Sequence, residues 1–199
     1  MLELYLVRHG ETEHNVKGVY YGWTDCGLTE KGIEQCKALA NTLKCISFDA
    51  VISSSLIRAA VTAEIICGSN ENIIFDDRLR ERNFGRWEGL HYSELQSNYK
   101  EQWDIWCNDW KNAIIPEGES FSELYSRVEE CIEEILAKYK EGKVLVVTHH
   151  GCLRLIMVIL LRLDANAFWS FVFEHGKYSL LQVDNSRCIV KKINCGEIK

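Results

Sequence analysis

The chain has 199 residues, 47% of them hydrophobic, and carries a formal charge of -6. That length allows one domain, burying roughly 70% of its unfolded surface without staples. An acidic balance with no basic tail argues against nucleic acid as the main partner, because phosphate backbones select clustered Lys and Arg. The first predicted element is a strand, Leu2 to Val7, which stops on Arg8-His9-Gly10. A polar, glycine-bearing loop runs from Gly10 to Gly27. Thr29 then caps a helix with Ile33, Cys36, Leu39 or Ala40, and Leu43 on one face. Phe48 to Ser53 reads as a short buried strand. Ser54 or Ser55 caps the next helix, whose first turn holds Arg58 and whose apolar face is Leu56, Ala59, Ala60, Ala63 and Ile66.

Ile73 to Phe75 is a brief strand, and Asp77 to Leu90 is irregular and charged. One or two helices with Trp103, Trp106 and Trp110 on one face fill His91 to Asn112. Ser120-Phe-Ser-Glu123 is a capping box opening a long amphipathic helix to Tyr139. Lys143 to Thr148 is a second β-branched run, and it ends on His149-His150-Gly151. A buried helix, Leu153 to Leu163, and closing strands near Tyr178 to Val183 and Cys188 to Ile193 complete the chain. Strands alternating with helices predict an α/β fold: a three-layer sandwich with a largely parallel central sheet and a helical insert, about residues 91–115, over the C-terminal sheet edge. Residues 1–199 form a single domain on this reading.

Nine cysteines, at 26, 36, 45, 67, 107, 131, 152, 188 and 195, include no Cys-x-x-Cys pair and no zinc spacing. They read as small hydrophobes in a reducing, cytoplasmic compartment. The N-terminal apolar run is too short for a signal peptide and lacks a basic flank. The run Leu155 to Leu161 is bounded by Arg154 and Arg162. It falls far short of the ~20 residues of a membrane span.

Two strands that each deliver a histidine at their C-terminal end suggest one site built from both ends of the sequence. Arg8 and Arg58 supply planar forks for a phosphate, and a helix start at Arg58 adds exposed N–H groups. An imidazole among those cations tends to stay neutral and nucleophilic. A carboxyl beside a phosphate dianion, here Glu81, tends to keep a proton for a leaving alcohol. His9, His149 and His150 could be written as a metal site, but they lack the spacing that accompanies one. Ser53-Ser-Ser55 lacks the elbow of a serine nucleophile and is better explained by capping.

Leu6-Val-Arg-His-Gly-Glu-Thr12 with Asn15, Gly27 to Gly32, Ser53 to Arg58, Leu79-Arg-Glu81 with Phe84 to Gly89, and Thr148-His149-x-Gly151 resemble, colinearly, the motifs of the histidine phosphatase (phosphoglycerate-mutase-like) superfamily. Trp106-Cys-Asn-Asp-Trp110, with Ile114 to Phe121, is similar to the α-ribazole phosphatases of the cobalamin pathway. The resemblance implies that His9 becomes phosphohistidine and that Arg8, Arg58 and His149 hold the phosphoryl group. It makes Glu81 acid and then base, and adds Asn15 and Thr12 as substrate contacts. It implies no metal and no other cofactor, and α-ribazole 5′-phosphate as the small-molecule substrate. A mutase moving phosphate within a phosphoglycerate, a phosphatase of broad specificity and a catalytically dead binding module are the alternatives. The last would lack His9 or Glu81. A mutase asks for further cations near the insert, and the balance of Asp77 to Glu117 favours hydrolysis of an ester with an aromatic or neutral remainder.

Packing of the insert explains most of the tryptophans, with Trp106 and Trp110 the candidates for the substrate mouth. His14, His91, His150 and His175 read as surface or packing residues, and Glu11, Glu88 and the acidic run Glu129 to Glu134 as solvated or loop-capping charges. The oligomeric state is left open.

Overall fold

Two long apolar runs become adjacent central strands because each is buried on both faces. A computed structural model describes residues 1–68, 72–184 and 187–196. It places β1 at Leu2–Arg8, then α1 (Glu13–Lys17), α2 (Glu30–Leu43), β2 (Ala50–Ser53), α3 (Ile57–Cys67) and β3 (Ile73–Phe75). Two 3₁₀ turns, Asp77–Leu79 and Gly85–Trp87, lead to α4 (Tyr92–Asn98), α5 (Lys100–Asp109) and α6 (Phe121–Lys138). The chain closes with β4 (Gly142–Thr148), α7 (His150–Leu160), a 3₁₀ turn at Ala165–Ser170, β5 (Tyr178–Val183) and β6 (Cys188–Cys195).

The six strands stand in the order β3-β2-β4-β1-β5-β6. The first four run parallel, and β5 and β6 are antiparallel. The sheet is therefore the largely parallel one the alternation predicts. Leu4 and Leu6 of β1 with Val144 and Val146 of β4 face a core closed by α6 and α7. Tyr5, Val7, Leu145 and Val147 face the opposite core, closed by α2 and α3. Burial on both faces is why these strands read as continuous apolar runs rather than alternating ones. A third cluster, Trp87, Leu95, Trp106, Ala113 and Ile115, gathers α4 and α5 around the turn at Trp87.

The departures from expectation are local. The loop after Gly10 contains the five-residue helix α1, because Thr12 and Asn15 form a capping box and Gly18 closes it in the left-handed region. Neither Ser54 nor Ser55 caps α3. Its N-cap is Leu56, which has no side-chain cap bond. Ser54 turns to His149 and Ser55 to Asp77 instead. β2 begins at Ala50 rather than Phe48, whose ring packs edge-on against Tyr5. α7 begins three residues early, at His150, so the second motif opens the helix directly. Cys36, Cys131 and Cys152 are buried as expected of small hydrophobes, but Cys45 and Cys107 are exposed. Among the described residues no helix is long and apolar enough to cross a membrane.

Candidate active site

The register of β1 on β4 sets Arg8 opposite Thr148. One residue further on, His9 donates its backbone N–H to the Thr148 carbonyl (3.1 Å), and the His9 and His149 rings lie 5.1 Å apart between centroids. His9 Nδ1 sits 2.7 Å from the Gly10 carbonyl. A carbonyl only accepts, so Nδ1 carries the proton and the Nε2 lone pair is free. Gly10 must lack a side chain, since a Cβ there would stand 2.5 Å from the Gly32 carbonyl oxygen. Burial, then Arg58, Arg8 and His175, hold the His9 pKa well below the ordinary histidine value, so the ring is neutral.

Arg58 has no exposed surface. Its Nε donates to His149 Nδ1 (3.2 Å), Nη1 to the Thr24 carbonyl (3.2 Å) and Nη2 to the Gly22 carbonyl (2.6 Å). The Tyr21 ring lies 4.6 Å from its guanidinium carbon. Each Nη keeps a second hydrogen for an anion. Because His149 Nδ1 accepts, its Nε2 donates to Ser54 Oγ at 2.8 Å. Both nitrogens of His149 are thus occupied, and the ring is fully buried behind Arg58 rather than lining the cavity. Its pKa too lies well below the usual value, through burial and then Arg58. Arg8 donates from Nη1 to the Phe173 carbonyl (2.7 Å), while its buried Nε has no partner among the described residues. Burial draws Arg8 down to about 10, which leaves it cationic at neutral pH.

Glu81 lies against the first turn of α7. Its Oε2 accepts from Gly151 N–H (2.9 Å) and its Oε1 from Arg82 N–H (2.9 Å). One lone pair per oxygen remains for other partners. A Cβ at Gly151 would stand 2.3 Å from Glu81 Oε1 and would displace the carboxylate from this position.

A cavity of about 220 Å³ lies between these groups, lined by Arg8, His9, Asn15, Tyr21, Arg58, Glu81, Phe84 and His150 among others. Past Glu81, Phe84 and His150 it adjoins a second recess of about 220 Å³ walled by Trp106, Trp110, Phe168, Trp169, Arg82 and Arg154. A larger cavity, about 390 Å³, opens by Leu2 at the opposite end of β1 and holds none of the site groups. Thr12 does not reach the site cavity. It is fully buried, and its hydroxyl binds Asn15 Oδ1 and the Tyr21 hydroxyl. Trp103 packs on Tyr20 and Trp87 and does not itself line the recess.

Four contributors were not legible as site residues. His175 donates from Nδ1 to the His9 carbonyl (3.0 Å) with its ring 5.3 Å from that of His9, so it is no surface residue. His150 lines both cavities and accepts from Phe173 N–H (3.3 Å). Its position directly after His149 was the available signal. Tyr21 and Trp169 carry no local signal. Glu88 is a loop clamp, accepting N–H bonds from Gly22, Trp23, Thr24 and Phe84.

A neutral imidazole with a free lone pair, two guanidiniums and a carboxyl at the C-terminal ends of parallel strands define a phosphoryl-transfer site on an α/β sheet. The chain belongs to the histidine phosphatase superfamily, branch 1, whose family model matches residues 4–196. It is a phosphatase, a phosphoric monoester hydrolase. It is 37% identical to an adenosylcobalamin/alpha-ribazole phosphatase of Salmonella typhimurium, over 97% of this chain and 96% of that one. It is 34% identical to phosphoserine phosphatase 1 of Hydrogenobacter thermophilus, over 98% and 92%. Among solved structures it superimposes on the alpha-ribazole phosphatase of Shigella flexneri with a TM-score of 0.93, at 33% identity and 99% coverage of both chains.

Proposed function

We propose that this phosphatase works through a phosphohistidine at His9 and that its substrate is α-ribazole 5′-phosphate, released as α-ribazole and orthophosphate. Residues 1–199 act as one catalytic domain, with residues 91–115 supplying a wall of the leaving-group site. The observation that carries the reading is the aromatic recess adjoining the phosphate cavity at Glu81. A benzimidazole nucleotide needs such a surface, and the alpha-ribazole phosphatase relatives match the whole chain.

In this mechanism the Nε2 lone pair of His9 attacks phosphorus. The N–P bond forms as the ester P–O bond breaks, and Glu81 passes a proton to the leaving oxygen. Arg8 Nε and the remaining Nη hydrogens of Arg58 hold the equatorial oxygens, with Asn15 at the edge. His149 acts through Arg58, fixing its plane. Water then attacks phosphorus, Glu81 takes the proton, and the N–P bond breaks with its electron pair returning to Nε2.

A second reading has a specific observation behind it. Arg82 and Arg154 line the recess, so cations stand near the leaving group, which the sequence balance did not foresee. An ester carrying a carboxylate, such as phosphoserine, fits them, and a phosphoserine phosphatase is among the relatives. Orthophosphate release from α-ribazole 5′-phosphate, phosphoserine and 3-phosphoglycerate separates the readings. The nucleotide is expected to have the highest kcat/KM. Trp110→Ala is expected to lower the ratio of nucleotide to a small alkyl phosphate roughly 2- to 13-fold, the equivalent of ~0.5–1.5 kcal/mol of aromatic contact. Trp103→Ala should leave that ratio alone. A nucleotide slower than phosphoserine would reject the substrate assignment.

A further inference from the structure

Arg154 stands on α7 one turn beyond His150, on the same helix face; His150 lines both cavities and Arg154 lines the aromatic recess. Its Nε donates to the Phe171 carbonyl (2.8 Å), and its guanidinium carbon lies 4.6 Å from the Trp169 ring centre and 5.4 Å from that of Phe168. Two aromatic rings and one carbonyl therefore fix its plane. No carboxylate pairs with it, and its Nη hydrogens have no partner among the described residues. The charges that act on it or that it acts on are Glu81, Arg8 and His150, all groups of the phosphate cavity.

A second guanidinium in the same wall is also incompletely used. Arg82 is only 4% exposed, lies 4.9 Å from the Trp106 ring centre, and donates from Nε to the Glu119 carbonyl, while its buried Nη2 has no partner among the described residues. A buried cation held in place with donors unmade is costly unless something supplies the acceptor. The phosphate is fixed by Arg8 and Arg58, so the part of the substrate beyond the ester oxygen passes Glu81 and meets Arg154.

We propose that Arg154 is a specificity-determining residue of the leaving-group recess, its Nη groups donating to an oxygen acceptor on the alcohol portion of the ester, a sugar hydroxyl or a carboxylate. This rests on the reading above that the recess takes the leaving group. It makes the enzyme favour oxygen-bearing alcohols, whether a nucleoside or a compact hydroxy acid, over bare aromatic ones.

The test measures kcat/KM for α-ribazole 5′-phosphate, phosphoserine and phenyl phosphate in wild type, Arg154→Met and Arg154→Lys. Phenyl phosphate has no acceptor beyond its ester oxygen, so each ratio to it is independent of the folded fraction. The methionine variant is expected to lower the ratio for the preferred acceptor-bearing ester about 10- to 100-fold, as for a lost charged hydrogen bond. Lysine should recover part of it, keeping charge without the planar fork. If phosphoserine shows that loss and the nucleotide is not hydrolysed, the substrate assignment falls and the role of Arg154 stands. If both ratios are unchanged in Arg154→Met, or wild type does not prefer either ester to phenyl phosphate, the inference is overturned.

Discussion

Glu88 lies outside the phosphate cavity, yet the geometry makes activity depend on it. Its carboxylate accepts from the N–H groups of Gly22 (2.9 Å), Trp23 (2.9 Å), Thr24 (3.0 Å) and Phe84 (2.9 Å). The carbonyls of Gly22 and Thr24 in turn hold the two Nη groups of Arg58. Burial alone would raise the Glu88 pKa, but these N–H groups outweigh it and hold it below the ordinary carboxylate value. Glu88→Gln keeps the shape, removes the charge, and turns an NH₂ toward N–H donors. A hydrogen bond to a charged group contributes ~1.5–3 kcal/mol and a neutral one ~0.5–1.5. With about half of the bonds weakened or lost, the expected destabilisation is about 2–4 kcal/mol, or roughly 4–16 °C in Tm for a chain of this size. The same change frees the carbonyls that orient Arg58, so kcat/KM should fall by one common factor for phenyl phosphate and the nucleotide, measured well below both melting points. Because the folded pKa is depressed, the Glu88 contribution is present above the unfolded carboxylate value and is lost as pH falls through the folded one. The Tm difference between wild type and variant should therefore shrink in acid. A Tm within about 1 °C of wild type at neutral pH, with unchanged kcat/KM, would show Glu88 to be a solvated charge.

The remaining predictions concern the chemistry directly. Rapid quench with labelled ester should trap an acid-labile, base-stable phosphoenzyme in wild type and none in His9→Ala; undiminished label in the variant would remove His9 as the nucleophile. Glu81→Gln should slow an alkyl phosphate ~10²–10⁴-fold more than p-nitrophenyl phosphate in the phosphorylation step, because nitrophenolate leaves without a proton. Equal slowing of both would deny Glu81 the acid's part. His150 and His175 are pulled down to about 3 and about 4 by burial and the nearby Arg8. Below pH ~6.5 the unfolded chain therefore binds protons that the folded chain refuses. Stability should be full above that pH and fall on acidification by up to about 1.4 kcal/mol per pH unit for each ring. Urea midpoints between pH 7 and 4 should show a shallower slope in His150→Gln, and an identical slope would refute the assignment.

The residues legible in the sequence are those whose position follows from a single element. Arg8 and His9 end an apolar strand, His149 ends another, and Arg58 opens a helix, so the strand-end rule points to all of them. The roles that escaped depend on which elements become neighbours. His175 reaches His9 because β5 pairs antiparallel with β1, which brings Gly176 N–H to the Arg8 carbonyl across the sheet order. Ser54 has the composition of a helix cap, and only the β2–β4 pairing turns its hydroxyl toward His149 Nε2. Thr12 sits in the first motif, yet α1, too short to show a period, spends its hydroxyl on Asn15 and Tyr21. Arg154 reads as the polar flank of an apolar helix. Its place in the aromatic recess follows from α7 beginning at His150, one turn earlier, and from the Ala165–Ser170 turn laying Trp169 over it. The phosphate end is built from strand ends and a helix start, which local pattern can locate. The aromatic recess is built where α5, α7 and the Ala165–Ser170 turn meet, and no periodicity encodes that meeting. Substrate preference is therefore better tested at Trp110 and Arg154 than at the motif residues, because the role proposed for the motif residues concerns the phosphoryl group that every candidate ester shares.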